Sequence, residues 1–272
     1  MNNVISLPIE RSYAHLAAHR WRETDTDDDG LAGLLRMLGA NLSELRMANN
    51  PLPVLERRLH SGETLFHEGA AADSMHFVRA GTFKVVRIAA DGYEQVLAFA
   101  GRGEVLGFDA IAAGTHPTAA VALEDSSVYA VPLREFFTVG TRMPVLDTLV
   151  HRAVSKSLAS RGELADVMAA VAAEVRLARF LLQWSQRMVD CGQSARRFHL
   201  RMSRRDIASF LGVAHETVSR SFGLLVRWGV LQVDNREVEV QDMLALKTLA
   251  LSTRRPCDDP MPSEAQHGPR QA

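Results

Sequence analysis

The stretch Ser203–Trp228, SRRDIASFLGVAHETVSRSFGLLVRW, decides how the rest of the chain is read. Ser203 is a good N-cap, and Asp206, three residues on, is an acidic variant of the capping-box partner. Ile207, Ala208 and Leu211 put apolar side chains at helical spacing. Gly212 predicts the end of that helix, because a tight exit needs the left-handed backbone that glycine adopts without strain. Val213 is expected in the turn and a second helix from about Ala214. Its inner face would be Val218, Phe222, Leu225 and Val226, and its outer face His215, Glu216, Ser219 and Arg220. Helix, glycine turn, helix is the pattern of a helix-turn-helix, whose second helix enters the major groove of DNA.

The outward residues suit base reading. Arg can donate two hydrogen bonds to guanine O6 and N7, and Glu can accept from cytosine N4. Glu216 and Arg220 lie four apart and leave one helix face, with Ser219 beside them. Taken alone they would more often be a solvated i,i+4 ion pair worth a few tenths of a kcal/mol. The flanking segments favour the reader. The run LQVDNREVEV (231–240) alternates around Asp234-Asn235 and predicts a two-stranded hairpin, which makes the motif a winged helix-turn-helix. Phe198, Leu200 and Met202 predict a further short strand before Ser203, and Glu174–Val189 an amphipathic helix.

The run HETVSR (215–220) with its wing resembles the CRP/FNR superfamily of bacterial transcription regulators. The spacing Glu216, Ser219, Arg220 is similar to the FNR branch; the cyclic-AMP branch has Gly where Ser219 stands. The resemblance implies a palindromic target close to TTGAT-N4-ATCAA. Arg220 would read a G·C pair from the G side and Glu216 from the C side. His215 sits at a position that varies in the family. Arg201, Ser203, Arg204, Arg205 and Thr217 are the phosphate candidates, setting affinity and salt dependence without sequence preference.

A net charge of −1 divides unevenly. Glu174 to Lys247 carries 12 basic and eight acidic residues, a net of +4, which leaves −5 on the rest. A basic module on an acidic body suits contact with phosphates at one end. At 272 residues there is length for two domains. No apolar run approaches a membrane span of about 18 residues, and no secretory signal is visible. Two cysteines, Cys191 and Cys257, cannot form a disulfide framework and fit a reducing cytoplasm.

From VLERRL (54–59) to SSVYAVPL (126–133) the chain reads as short β-rich runs punctuated by Gly turns, which suggests a barrel or jelly roll. GETLFHEG, FVRAGTFKV and GEVLGFDAI resemble the cyclic-nucleotide-binding β-roll that heads the same superfamily. Family members that bind the nucleotide hold it with a Glu and an Arg. Here Asp109 replaces the Glu, and His116, Pro117 and Thr118 stand where the Arg would be, so cyclic AMP is disfavoured. The FNR branch carries a [4Fe–4S] cluster on four thiolates. Residues 1–50 contain no Cys, and the strand position of the fourth thiolate is Tyr129, so no iron–sulfur cluster is expected. Other sensors stay open: haem on His60, His67, His76 or His116; oxidation of Cys191 beside Arg196 and Arg197; or no ligand at all, the default, with no cofactor.

Arg142 to about Ala172 predicts a long helix. His151, Val154, Leu158, Arg161, Ala165 and Met168 form a heptad seam, and Leu149, Ala153, Leu164, Val167 and Val171 a second stripe facing their own domain. By resemblance the seam is a parallel homodimer contact, which a palindromic site requires.

The expected fold is α+β: a flexible acidic tail (1–29, with TDTDDDG and a His15/His19 pair), a β-roll (30–141, opened by a helix from Gly30 to Asn49), the dimerisation helix (142–172), the winged helix-turn-helix (173–250) and a disordered Pro-rich tail (251–272). The expected partners are double-stranded DNA, RNA polymerase and a second copy of the chain, without membrane, in the cytoplasm. By resemblance the polymerase faces are the Ala89–Glu94 loop and the surface near Thr115–Thr118. No GxSxG, Walker loop, HExxH or other catalytic constellation is present, so no enzyme is expected. The alternative is a ligand-gated sensor regulator, taking haem, redox or another small molecule, with a shifted DNA target.

Overall fold

The computed structural model describes residues 30–41, 52–139 and 143–252. The expected acidic tail with TDTDDDG, His15 and His19 lies outside the described residues, as does most of the expected helix beyond α1 (Gly30–Met37); of the expected C-terminal tail, Leu251 still belongs to the last helix and the residues after Ser252 lie outside the described residues.

Eight strands build the first domain: β1 (Leu55–Leu59), β2 (Thr64–Phe66), β3 (Ser74–Ala80), β4 (Phe83–Ile88), β5 (Glu94–Ala100), β6 (Val105–Leu106), β7 (Ala119–Ala122) and β8 (Ser126–Pro132). They form two antiparallel four-stranded sheets, ordered β1-β8-β3-β6 and β2-β7-β4-β5. Leu59, Leu65, Phe83, Val85, Leu106 and Val128 fill the space between them. The run Ala119–Ala122, directly after His116, Pro117 and Thr118, is β7. Alanine has little strand preference, and the strand exists because β2 and β4 pair with it on either side.

The outer face of the first sheet carries α1 and α3 (Pro144–Met168), with Leu34, Leu35, Phe77, Tyr129, Leu146 and Leu149 forming a second core. Between them lies α2 (Leu133–Val139), which the sequence reading did not place. Helix α3 is shorter than the expected 142–172. Val167 stays fully buried, but Val171 lies beyond the helix end and is 77% exposed, so it leaves the predicted stripe.

The second domain comprises α4 (Ala173–Asp190), β9 (Arg197–His199), α5 (Arg204–Leu211), α6 (His215–Arg227), β10 (Leu231–Asp234), β11 (Glu237–Val240) and α7 (Met243–Leu251). Its sheet runs β10-β11-β9. The two domains share a core. Strand β4 alternates, so Phe83 and Val85 pack inside the roll and Val86 joins Val96, Phe99, Phe180, Trp184 and Phe210 outside it; the bulge lies on β5, whose extra residue Leu97 sits opposite the Val85–Val86 step. Strand β5 is a sheet edge. Ser209 of α5 covers it, donating to the Glu94 carbonyl and accepting from the Val96 amide, each at 2.9 Å. Among the described residues no helix is long and apolar enough to cross a membrane.

Candidate nucleic-acid interface

The local rules of the motif are met. Ser203 Oγ accepts from the Asp206 amide at 3.1 Å, and Asp206 Oδ2 accepts from the Ser203 amide at 2.9 Å, closing the capping box. Gly212 has φ +62, and a Cβ there would meet Met168 Cε at 2.9 Å. Arg176, which the sequence reading only counted as charge, donates to the carbonyls of Ala170 and Leu211 and ties the end of α3 to the motif's turn. In α6, Val218, Phe222 and Leu225 are buried, while the expected inner residue Val226 is exposed, one position past the packed stripe.

That packing turns His215, Glu216, Ser219 and Arg220 outward together, and all four are exposed. Glu216 and Arg220 have no ion-pair partner among the described residues, so the solvated i,i+4 pair is not formed and both polar ends are free. Ser219 Oγ donates to the His215 carbonyl at 3.3 Å.

The phosphate candidates are not equivalent. Arg205 is exposed, without an ion-pair partner among the described residues. Thr217 is half-buried beside the exposed face of His215, Glu216, Ser219 and Arg220. Arg201 Nε pairs with Glu124 of the roll at 3.0 Å. Ser203 is committed to the capping box, its Oγ also donating to Asp206 at 2.6 Å. Arg204 lies over the Phe222 ring, 3.5 Å from its centroid, and donates to the Asn235 carbonyl at 3.0 Å. Burial, then the Arg236 charge, lowers its pKa to about 10. Arg204 therefore joins α6 to the wing, a use that spacing alone could not distinguish from phosphate contact. The wing turns at Asn235-Arg236, one residue later than expected, with Asn235 in the left-handed region at φ 53. Arg236 at its tip is a cation the sequence reading left without a role; its place between alternating strands was the available signal.

In the roll, the position expected for a phosphate-binding Arg is filled differently. His116 is 3% exposed and stacked on Phe66 with centroids 3.9 Å apart. A Cβ at Gly107 would approach His116 Cε1 to 3.0 Å. Burial lowers the pKa of His116 and brings that of His76 down to about 3, so both rings are neutral and offer no cation to a cyclic phosphate. His60 and His67 are exposed. A four-thiolate cluster does not fit this donor set: Tyr129, 3% exposed, packs its hydroxyl against Gly33, and Cys191 is exposed on the other domain. Of the expected polymerase faces, the Ala89–Glu94 hairpin loop is exposed, whereas His116 and Thr118 are buried.

The heptad seam is only partly open. His151 and Ala165 are exposed, Leu158 is 55% and Met168 38% exposed, and Val154 is half-buried. Met168 also packs on Gly212 of its own chain. The side chain of Arg161 lies outside the described residues.

Residues 56–141 match the cyclic nucleotide-binding domain model and residues 175–249 the Crp-like helix-turn-helix domain model. The chain is 35% identical over 216 residues to the fumarate and nitrate reduction regulatory protein of Escherichia coli K12, covering 79% of this chain and 85% of that one. It is 36% identical over 192 residues to the transcriptional regulatory protein btr of Bordetella pertussis, covering 71% and 79%. Among solved structures, FixK2 from Bradyrhizobium japonicum aligns with a TM-score of 0.66 at 27% identity, over 74% of this chain and 99% of that one. Two domain models in this order, a capped helix-turn-helix with its wing, and these regulators as relatives place the chain in the CRP/FNR family of transcription regulators.

Proposed function

We propose that the protein is a dimeric, FNR-type regulator that reads a TTGAT-N4-ATCAA-like palindrome and contacts RNA polymerase, without an iron–sulfur cluster or cyclic AMP. The exposed, outward face of His215, Glu216, Ser219 and Arg220 on a helix fixed from behind carries this reading. Arg220 donates to guanine and Glu216 accepts from cytosine at one G·C pair per half-site. Arg205 and Thr217 hold flanking phosphates. The exposed Leu158 on α3 supplies an apolar surface for a second copy, which sets two recognition helices about one DNA turn apart. Exposed Ile88 just before the Ala89–Glu94 loop and exposed Tyr93 within it offer a face to the polymerase.

The test is binding of air-purified protein, free of added ligand, to a TTGAT-N4-ATCAA duplex and to one with the G·C pairs inverted, at fixed salt. Tight binding to the first and weak binding to the second is expected. Equal affinity for both would overturn the base-reading assignment.

A further inference from the structure

We propose that the groove between the β-roll, α3 and α4 binds a small, multiply charged, phosphate-bearing metabolite of nucleotide size. The groove has a volume of about 890 Å³. Ligand sites of about 300–1,000 Å³ occur preferentially where domains meet, and three parts of this chain meet here.

The charge in the groove is uneven. Arg187 is held by Glu104 and the Phe99 carbonyl, Arg201 by Glu124 and Arg79 by Glu56. Three further cations line the same groove: Arg102 in the turn before β6, and Arg152 and Lys156 on α3. None of the three has an ion-pair partner among the described residues. Arg152 and Lys156 are four apart and share one helix face. At 100° per residue that face is opposite the seam residues Val154 and Leu158, so a dimer contact there leaves the groove open. Leu149, Ala153 and Met188 add apolar wall beside the cations.

Trp184, 4% exposed, also lines the groove, and its Nε1 has no hydrogen-bond partner among the described residues. A buried donor left unsatisfied is costly and calls for an acceptor. The same ring lines a cavity of about 50 Å³ with Ser157, whose Oγ likewise has no partner among the described residues. The donor thus belongs to the wall between groove and cavity, and the three unpaired cations carry the proposal. A concave site lined by cations fits phosphate oxygens on a small molecule better than a convex duplex. A ligand gripping Arg102 on the roll, Lys156 on α3 and the wall formed by α4 would favour one arrangement of the three parts over others.

The probes are ATP, inorganic pyrophosphate and uncharged adenosine, in equilibrium dialysis against the full chain without DNA at fixed ionic strength. Saturable ATP binding, competed by pyrophosphate and not by adenosine, is expected. The double variant Arg152→Ala/Lys156→Ala should weaken ATP binding at least about tenfold, the loss of roughly one charge-assisted hydrogen bond. Cys191 lines the groove and is exposed. In a Cys257→Ser background, its alkylation by iodoacetamide should slow when ATP is bound. Absence of saturable binding, failure of pyrophosphate to compete, unprotected Cys191, or equal affinity in the double variant would overturn the proposal. So would a double variant that loses DNA affinity in the absence of nucleotide, because its cations would then be duplex contacts. The dialysis contains no DNA, so a failure of the palindrome assignment leaves this result intact.

Discussion

Lys84 of β4 and Asp206 of α5 meet at 3.1 Å, so the carboxylate that closes the capping box of the helix-turn-helix also holds the DNA-binding domain to the roll. Burial works to raise the Asp206 pKa, but the Ser203 hydrogen bonds and the Lys84 charge outweigh it and hold the carboxyl below its ordinary value. A carboxylate with a lowered pKa contributes stability that is present above about pH 4 and lost as pH falls through the lowered value. Asp206→Ala should cost about 1–2 kcal/mol from the cap. It should also loosen the docking of α5 on β5. Urea unfolding and protease sensitivity of the linker around Ala170 would measure the two effects separately. Unchanged unfolding would show that the box adds nothing.

Arg204 and Arg205 are neighbours with opposite expected behaviour. Arg204→Ala removes a guanidinium stacked on Phe222 and bonded to the wing, so a loss of about 1–2 kcal/mol in stability is expected. Arg205→Ala should leave the melting temperature unchanged and reduce the salt slope of DNA binding by about 1. Thermal melts of both variants, with a salt titration of DNA binding, check this pair; a stable Arg204→Ala protein would contradict the structural role.

Arg220→Ala should remove roughly 1–3 kcal/mol of discrimination at one G·C pair per half-site. Competition between the palindrome and random DNA reads it directly. An equal loss on both sequences would make Arg220 a phosphate contact.

His76 is buried with its pKa lowered to about 3, by burial first and then by the charges of Arg57 and His116. A His whose folded pKa lies below its unfolded value of about 6.5 destabilises the fold as pH falls, because the unfolded chain takes up the proton first. Stability should hold above about pH 7 and decline steadily between pH 6.5 and 3. A His76→Phe variant should flatten part of that decline in pH-dependent urea unfolding, and a slope identical to that of the parent chain would contradict the assignment.

Leu158 is 55% exposed at the centre of the heptad seam. Leu158→Glu places like charges across a coiled-coil contact and should shift the protein to monomer in sedimentation, with loss of palindrome binding but little change in the single-chain fold. A variant that stays dimeric would move the interface off this seam.

The parts of the fold legible in the sequence obey short-range rules. Ser203, Asp206 and Gly212 specify a capped helix and its exit within ten residues, and Asn235 marks the wing turn. The outward set His215, Glu216, Ser219 and Arg220 follows from helical period alone. Periodicity reads less well where neighbours supply the stabilisation. Strand β7 is alanine-rich and exists through pairing on both sides, and α3 ends at Met168 because the chain must turn into α4.

By itself, then, the sequence determined the helix-turn-helix, its wing, the glycine-punctuated roll and the absence of a four-cysteine donor set, because each rests on local backbone preference or on composition. Only the tertiary structure decided which charges are spent and which are free. Lys84 and Asp206 are 122 residues apart in sequence, and Arg201 reaches Glu124 on the other domain. Arg204 turns inward to Phe222, while Arg102, Arg152 and Lys156 line one groove. A long cationic side chain has the same local preferences whether it meets a carboxylate, an aromatic ring, a phosphate or water, and only the packing of distant segments selects its partner.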